Sequence, residues 1–212
     1  MIAILWFGYR ISNSERKGYH SWIMRAFGIA AFFVFIAEMG DKTQLVALLF
    51  ATRYKATIVL AGVFGATLFV HLISVGLGDA AGTVIPAFWI RLLSGAAFIA
   101  FGAWSFYGDK LDDEETKVLE YRWGPLITVA VTFFIAELGD KTMLATITIA
   151  SEQREFAAVW LGSTIGMVAA DGIAIAAARS MRASLPEKAL RYTAAVIFIG
   201  SGILTILSAK AS

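Results

Sequence analysis

Six stretches of mostly apolar residues, near 26–50, 56–78, 87–107, 124–150, 156–178 and 189–209, take up most of this 212-residue chain. A helix needs roughly 20 such residues to cross a bilayer. In lipid every backbone polar group must be bonded within its own segment or a closed barrel, and runs this long meet that demand as helices. The reading is therefore an all-α integral membrane protein with six transmembrane helices and the lipid bilayer as its solvent. Composition agrees, with 58% hydrophobic and 16% charged residues and a mean hydropathy of +0.73, values foreign to a soluble domain. A net charge of +2 spread over scattered basic residues excludes nucleic acid as a partner. The absence of cysteine excludes disulfides and thiolate sites, so any metal must be held by oxygen or imidazole.

The chain repeats itself. Phe35-Ile36-Ala37-Glu38-Met39-Gly40-Asp41-Lys42-Thr43-Gln44-Leu45 returns 99 positions later as Phe134-Ile135-Ala136-Glu137-Leu138-Gly139-Asp140-Lys141-Thr142-Met143-Leu144. After a slip of one residue the match continues at an offset of 100 through Gly62/Gly162, Pro86/Pro186, Arg91/Arg191, Phe98/Phe198 and Gly102/Gly202. The repeating unit is three helices long. An odd number of spans sends the second copy into the membrane from the other side, so the expected architecture is two inverted three-helix repeats whose motifs face each other near the midplane. Residues 26–107 form the first repeat and 124–212 the second, joined by a charged loop, 108–123, that holds Asp112, Asp113, Glu114 and Glu115. Residues 1–25 are read as an N-terminal interfacial arm, since the apolar run Met1 to Tyr9 is too short to span. The loops on the side of that acidic segment carry nine basic residues against seven on the other, which makes its side cytoplasmic by the positive-inside rule.

Charge inside the membrane is the feature that speaks of function. Each charged residue at the centre of a spanning helix costs roughly 2.5–3.5 kcal/mol on insertion scales, and Glu38, Asp41, Lys42, Glu137, Asp140 and Lys141 all fall mid-span. With Glu and Asp three apart, an unbroken helix carries both carboxylates on one face, one turn apart. Gly40 and Gly139 sit between them, where glycine weakens a helix by roughly 1 kcal/mol and can permit a break that frees carbonyls as ligands. Thr43 and Thr142 add hydroxyls, and Lys42, Lys141 and Gln44 complete the motifs. Four carboxylates against two lysines leave a charge that one divalent cation neutralises, and the oxygen donors suit Ca²⁺, Mg²⁺ or Mn²⁺. When the cation leaves, four acids crowded in a low dielectric do not all stay ionised, so protons compete with metal for one site. The alternative for Lys42 and Lys141 is a purely structural role as buried ion pairs.

Outside the motifs, His71 and Asp171 occupy equivalent positions of the two repeats. They are candidates for a proton relay or an outer ligand, or else polar groups at a helix contact or wet cavity wall. Gly162 and Gly166, like Ala96 and Ala100, have the small-xxx-small spacing of close helix pairs, or merely reflect how common small residues are in such helices.

The two motifs resemble the E-x-G-D-[KR]-[TS] signature of the Gdt1 family, also called uncharacterised protein family 0016, whose members include the human Golgi transmembrane protein 165. The resemblance covers both halves of the chain. It implies exchange of Mn²⁺ or Ca²⁺ for protons, with Glu38, Asp41, Glu137 and Asp140 as the shared binding site, the cation being cargo and no cofactor being required. The short central loop and the lack of a long leader are similar to bacterial members, which resemble manganese exporters of the cytoplasmic membrane with the central loop inside.

Two rival functions stand beside this secondary transporter. A passive divalent channel would use similar acidic groups but would not need inverted repeats. An intramembrane carboxylate or metal enzyme would need a nucleophile-base constellation, which does not accompany these acids. The sequence leaves Mn²⁺ against Ca²⁺, proton stoichiometry, direction of flux and oligomeric state open.

Overall fold

Many polar side chains lie inside this protein and many large apolar ones face outward. Thr67, His71, Ser74, Ser163, Thr164 and Asp171 are buried, while Phe69, Leu77, Val84, Val196 and Leu204 each expose half or more of their surface. A helical bundle dissolved in lipid has this distribution, because lipid tails reward no burial of apolar residues and strand any polar group that faces them. The computed structural model describes residues 13–107, 124–181 and 187–210. The charged loop at 108–123 and the first 12 residues of the proposed arm lie outside the described residues.

The described chain is helical: α1 (Asn13–Glu38), α2 (Lys42–Arg53), α3 (Ala56–Val84), α4 (Ala87–Tyr107), α5 (Pro125–Glu137), α6 (Lys141–Gln153), α7 (Phe156–Met181) and α8 (Glu187–Lys210). Five of these contain a segment long and apolar enough to cross a membrane, namely His20–Glu38, Ala56–Val84, Ala87–Phe106, Phe156–Ala177 and Lys188–Ala209. Residues 13–25, read from sequence within a separate arm, are continuous with α1.

The structure differs from the sequence reading at 26–50 and 124–150, which are not single helices. Both are interrupted at the motif, between Glu38 and Lys42 and between Glu137 and Lys141. The cause is a tight turn. Asp140 N–H donates to Glu137 O at 3.3 Å, Leu138 has φ −67° and ψ 111°, and Gly139 has φ 83°. This is a type II turn, whose third residue needs a positive φ and so a glycine. The first motif repeats it, with Asp41 N–H donating to Glu38 O at 3.0 Å and Gly40 at φ 78°.

Glycines also set how the helices pair. Gly162 and Gly166 of α7 press on the backbone of Phe27 and Ala31 of α1, so these two helices run parallel. Gly62 of α3 meets Val129 of α5, while Gly78 and Gly82 meet Ile147 and Ser151 of α6, again parallel. In α4 and α8, Gly95 meets Gly202 and Ile206, and Gly102 meets Ile199, which makes that pair antiparallel. Small residues let backbones approach where apolar burial supplies no attraction. The small-xxx-small spacing at Gly162 and Gly166 thus carries a real contact, whereas α4 uses Gly95 and Gly102 for its own. Each half lays its second long helix along the broken helix of the other half, and the third helices cross at Gly95 and Gly202. Phe33, Phe98, Phe101 and Phe198 close the space between α1, α4 and α8, with Phe33 and Phe98 stacked at 5.1 Å.

Candidate cation site

The turn converts E-x-G-D-K-T from a helical stripe into a junction between two helices. Glu is the last residue of one helix, the next two residues turn, Asp caps the following helix, and Lys and Thr open it. Glu38 and Asp41, expected one turn apart on one helix face, therefore sit on different helices, as do Glu137 and Asp140. Asp140 performs the cap through its side chain, accepting from Thr142 N–H at 3.4 Å, as short polar residues do at helix starts. The helix N-termini of α2 and α6 bring partial positive charge to the junctions, and the C-termini of α1 and α5 bring carbonyl oxygens.

Within each motif the threonine reaches back across the turn. Thr43 Oγ1 donates to Glu38 Oε1 and Thr142 Oγ1 to Glu137 Oε2, both at 2.5 Å. The same Thr43 oxygen lies 3.4 Å from Asp41 Oδ2. Gln44 braces the first motif by accepting from Gly40 N–H at 3.0 Å and donating to Ala170 O of α7 at 3.3 Å. Its counterpart Met143 meets Gly139 N–H with sulfur at 3.2 Å.

A buried ion pair links the two motifs. Lys141 Nζ donates to Asp41 Oδ1 at 2.6 Å, with both side chains buried. Lys42, at the same place in the other motif, is half-buried at the start of α2. The acids form one electrostatic group, in which Glu38 feels Glu137, Asp41 and Asp140. Asp171, buried on α7, interacts electrostatically with Glu38, Asp41 and Glu137. Both carboxylate oxygens of Asp171, one each of Glu38 and Glu137, and His71 Nε2 are buried without a hydrogen-bond partner. His71 Nδ1 lies 3.2 Å from Thr164 Oγ1, a partner on α7 that the sequence did not suggest. The repeat equivalence of His71 and Asp171 thus hides a difference: the acid joins the motif group and the imidazole bonds to a neighbouring helix.

Among the described residues no three His, Asp or Glu side chains converge closely enough to hold a metal as they stand. The best-placed oxygens are already engaged, Asp41 by an ammonium and the two glutamates by threonine hydroxyls. What this arrangement presents is a set of buried acids neutralised in part from within, with unpartnered oxygens beside them.

The profile of the family described as "Divalent cation/proton antiporter GDT1" matches residues 26–113 and again 125–212. The chain belongs to this family. The two matched stretches coincide with the two halves of the internal repeat, each holding one turn motif. Among GDT1 relatives, a Vibrio cholerae protein named "Putative manganese exporter" is 32% identical over 186 residues, covering 86% of this chain and 91% of its own. GDT1-like protein 5 of Arabidopsis thaliana is 25% identical over 222 residues, covering 88% and 97% respectively. No solved structure matches the chain significantly.

Proposed function

We propose that this GDT1 protein exports a divalent cation, Mn²⁺ ahead of Ca²⁺, in exchange for protons, at one site formed by Glu38, Asp41, Glu137 and Asp140. The observation that carries the reading is the ion pair between Lys141 of one motif and Asp41 of the other, 2.6 Å long and buried. It joins the two turns and fills the site with an internal positive charge. An arriving M²⁺ competes with that ammonium for Asp41 and finds the unpartnered oxygens of Glu38 and Glu137 beside it. Oxygen donors without thiolate favour hard cations. The name of the Vibrio relative supports manganese. When the metal departs, protons and Lys141 share the neutralisation of the acids, which couples the two fluxes.

The architecture proposed for this is six spans in two inverted repeats, α5 and α6 together making the span that neither completes alone. The parallel pairing of α1 with α7 and of α3 with α5, and the antiparallel pairing of α4 with α8, support it. The membrane is the bacterial cytoplasmic membrane, with the 108–123 loop inside. Glu38→Gln and Asp140→Asn test the site: transport of Mn²⁺ into proteoliposomes should vanish in both while the proteins remain folded and inserted. Wild-type flux in either would refute the assignment.

A further inference from the structure

Where α4 starts, the ends of α3 and α6 and the first residues of α4 line a cavity of about 810 Å³. Arg25, Arg91 and Arg154 line it, with Glu152 as the one acid among the lining residues. Glu152 interacts with Ser94 and Arg91, and its Oε1 is buried without a hydrogen-bond partner. Arg25 stacks over the Trp22 ring at 5.5 Å, and neither it nor Arg154 has a carboxylate partner among the described residues. Among the described lining residues three arginines thus stand against the single carboxylate of Glu152.

Arg154 is placed there at a cost. It is the one non-glycine residue with positive φ among the described residues, at 54°, where it caps the C-terminus of α6. Left-handed backbone is unfavourable for a residue that carries a side chain, and such strain concentrates at binding sites. It also falls where the two repeats slip out of step: α6 has 13 residues and its counterpart α2 has 12, and α2 ends instead on Tyr54 with an ordinary φ of −121°. The left-handed Arg154 is thus particular to the second repeat, while the basin draws its lining from both halves. About 11 residues of α6 separate it from Lys141, or about 16 Å at 1.5 Å per residue, and its charge repels divalent cations.

We propose that this basin binds a phosphate group, the headgroup of an anionic phospholipid. Guanidinium forks match phosphate oxygens in pairs. Trp22 and Trp89 at the same end are each more than half exposed, as tryptophans are at the headgroup level. A lipid headgroup and free inorganic phosphate share this chemistry, and the experiment separates them. Lipid-depleted full-length protein in nonionic detergent is titrated with phosphatidylglycerol, phosphatidylcholine or inorganic phosphate, and bound lipid is counted by native mass spectrometry. One phosphatidylglycerol should bind in preference to phosphatidylcholine. Arg25→Gln with Arg154→Gln should weaken it about tenfold or more, as loss of charge-assisted hydrogen bonds implies. The double lysine variant, which keeps the charge, should retain most of the affinity, and Glu38→Gln should not alter it. Displacement of phosphatidylglycerol by inorganic phosphate would support the basin and assign it to the free anion. Equal binding of both lipids, or equal phosphatidylglycerol binding by wild type and the double glutamine variant, would overturn the proposal.

Discussion

Replacing Lys141 with methionine removes the charge that neutralises Asp41 while keeping an unbranched side chain one atom shorter. At 2.6 Å and an effective dielectric of about 20, the Coulomb attraction lost is roughly 6 kcal/mol. Relief of the lysine's own desolvation offsets part of this, and breaking a buried pair by deleting one partner nets about 3–5 kcal/mol. Lys141→Met should therefore lower stability by about that amount in metal-free buffer, read from detergent-solubilised protein by thermal unfolding. Asp41→Asn should cost a similar amount. The double variant should cost clearly less than the two losses added, since neither buried charge is then stranded. Mn²⁺ supplies the distinguishing readout. Saturation at about 100 times Kd stabilises by about 2.7 kcal/mol, and the metal no longer has to displace an ammonium, so half-maximal stabilisation should need less Mn²⁺ in Lys141→Met than in wild type. A loss under about 1 kcal/mol with strictly additive single effects would show that the pair does not neutralise the site.

Gly139→Ala, and likewise Gly40→Ala, puts a side chain on a left-handed turn and should cost about 1–2 kcal/mol and most transport; an unchanged melting temperature would argue against the turn. Thr43→Val leaves Glu38 without its donor and should destabilise by about 1–3 kcal/mol, with Thr43→Ser largely restoring both stability and flux. Gly78→Val drives a side chain into the α6 backbone at Ile147 and should cost at least 1–3 kcal/mol by about the usual measure of overpacking, seen as loss of monodisperse protein in size-exclusion chromatography.

Much of this was legible in the chain. Long apolar runs announce a membrane protein, and the recurrence of the motif announces two halves with their acids inside. Burial of Glu38, Asp41, Glu137 and Asp140 follows from those two facts, and the structure bears it out. Periodicity failed where glycine rules. Gly40 and Gly139 read as weak points within a helix, yet each takes a positive φ that ends one helix and starts another, because a type II turn satisfies the backbone locally and Asp at its end can cap the next helix. Treating the motif as helical put Glu and Asp on one face and left the lysines beside their own acids. The pairing of Lys141 with Asp41, 100 positions away, depends on how the halves dock, which no local pattern encodes. Asp171 was singled out by its position in the repeat, but its place among the motif acids while His71 turns to Thr164 required the packing of α7.

The central claim is that the buried acids exchange a divalent cation for protons. Its most direct test is to load proteoliposomes with a pH dye, add Mn²⁺ outside, and follow metal uptake and internal pH together. Exchange requires the interior to become alkaline as Mn²⁺ enters, requires an imposed proton gradient to drive Mn²⁺ uphill, and requires Glu38→Gln to abolish both. Mn²⁺ flux that ignores the proton gradient would make the protein a channel and contradict the account.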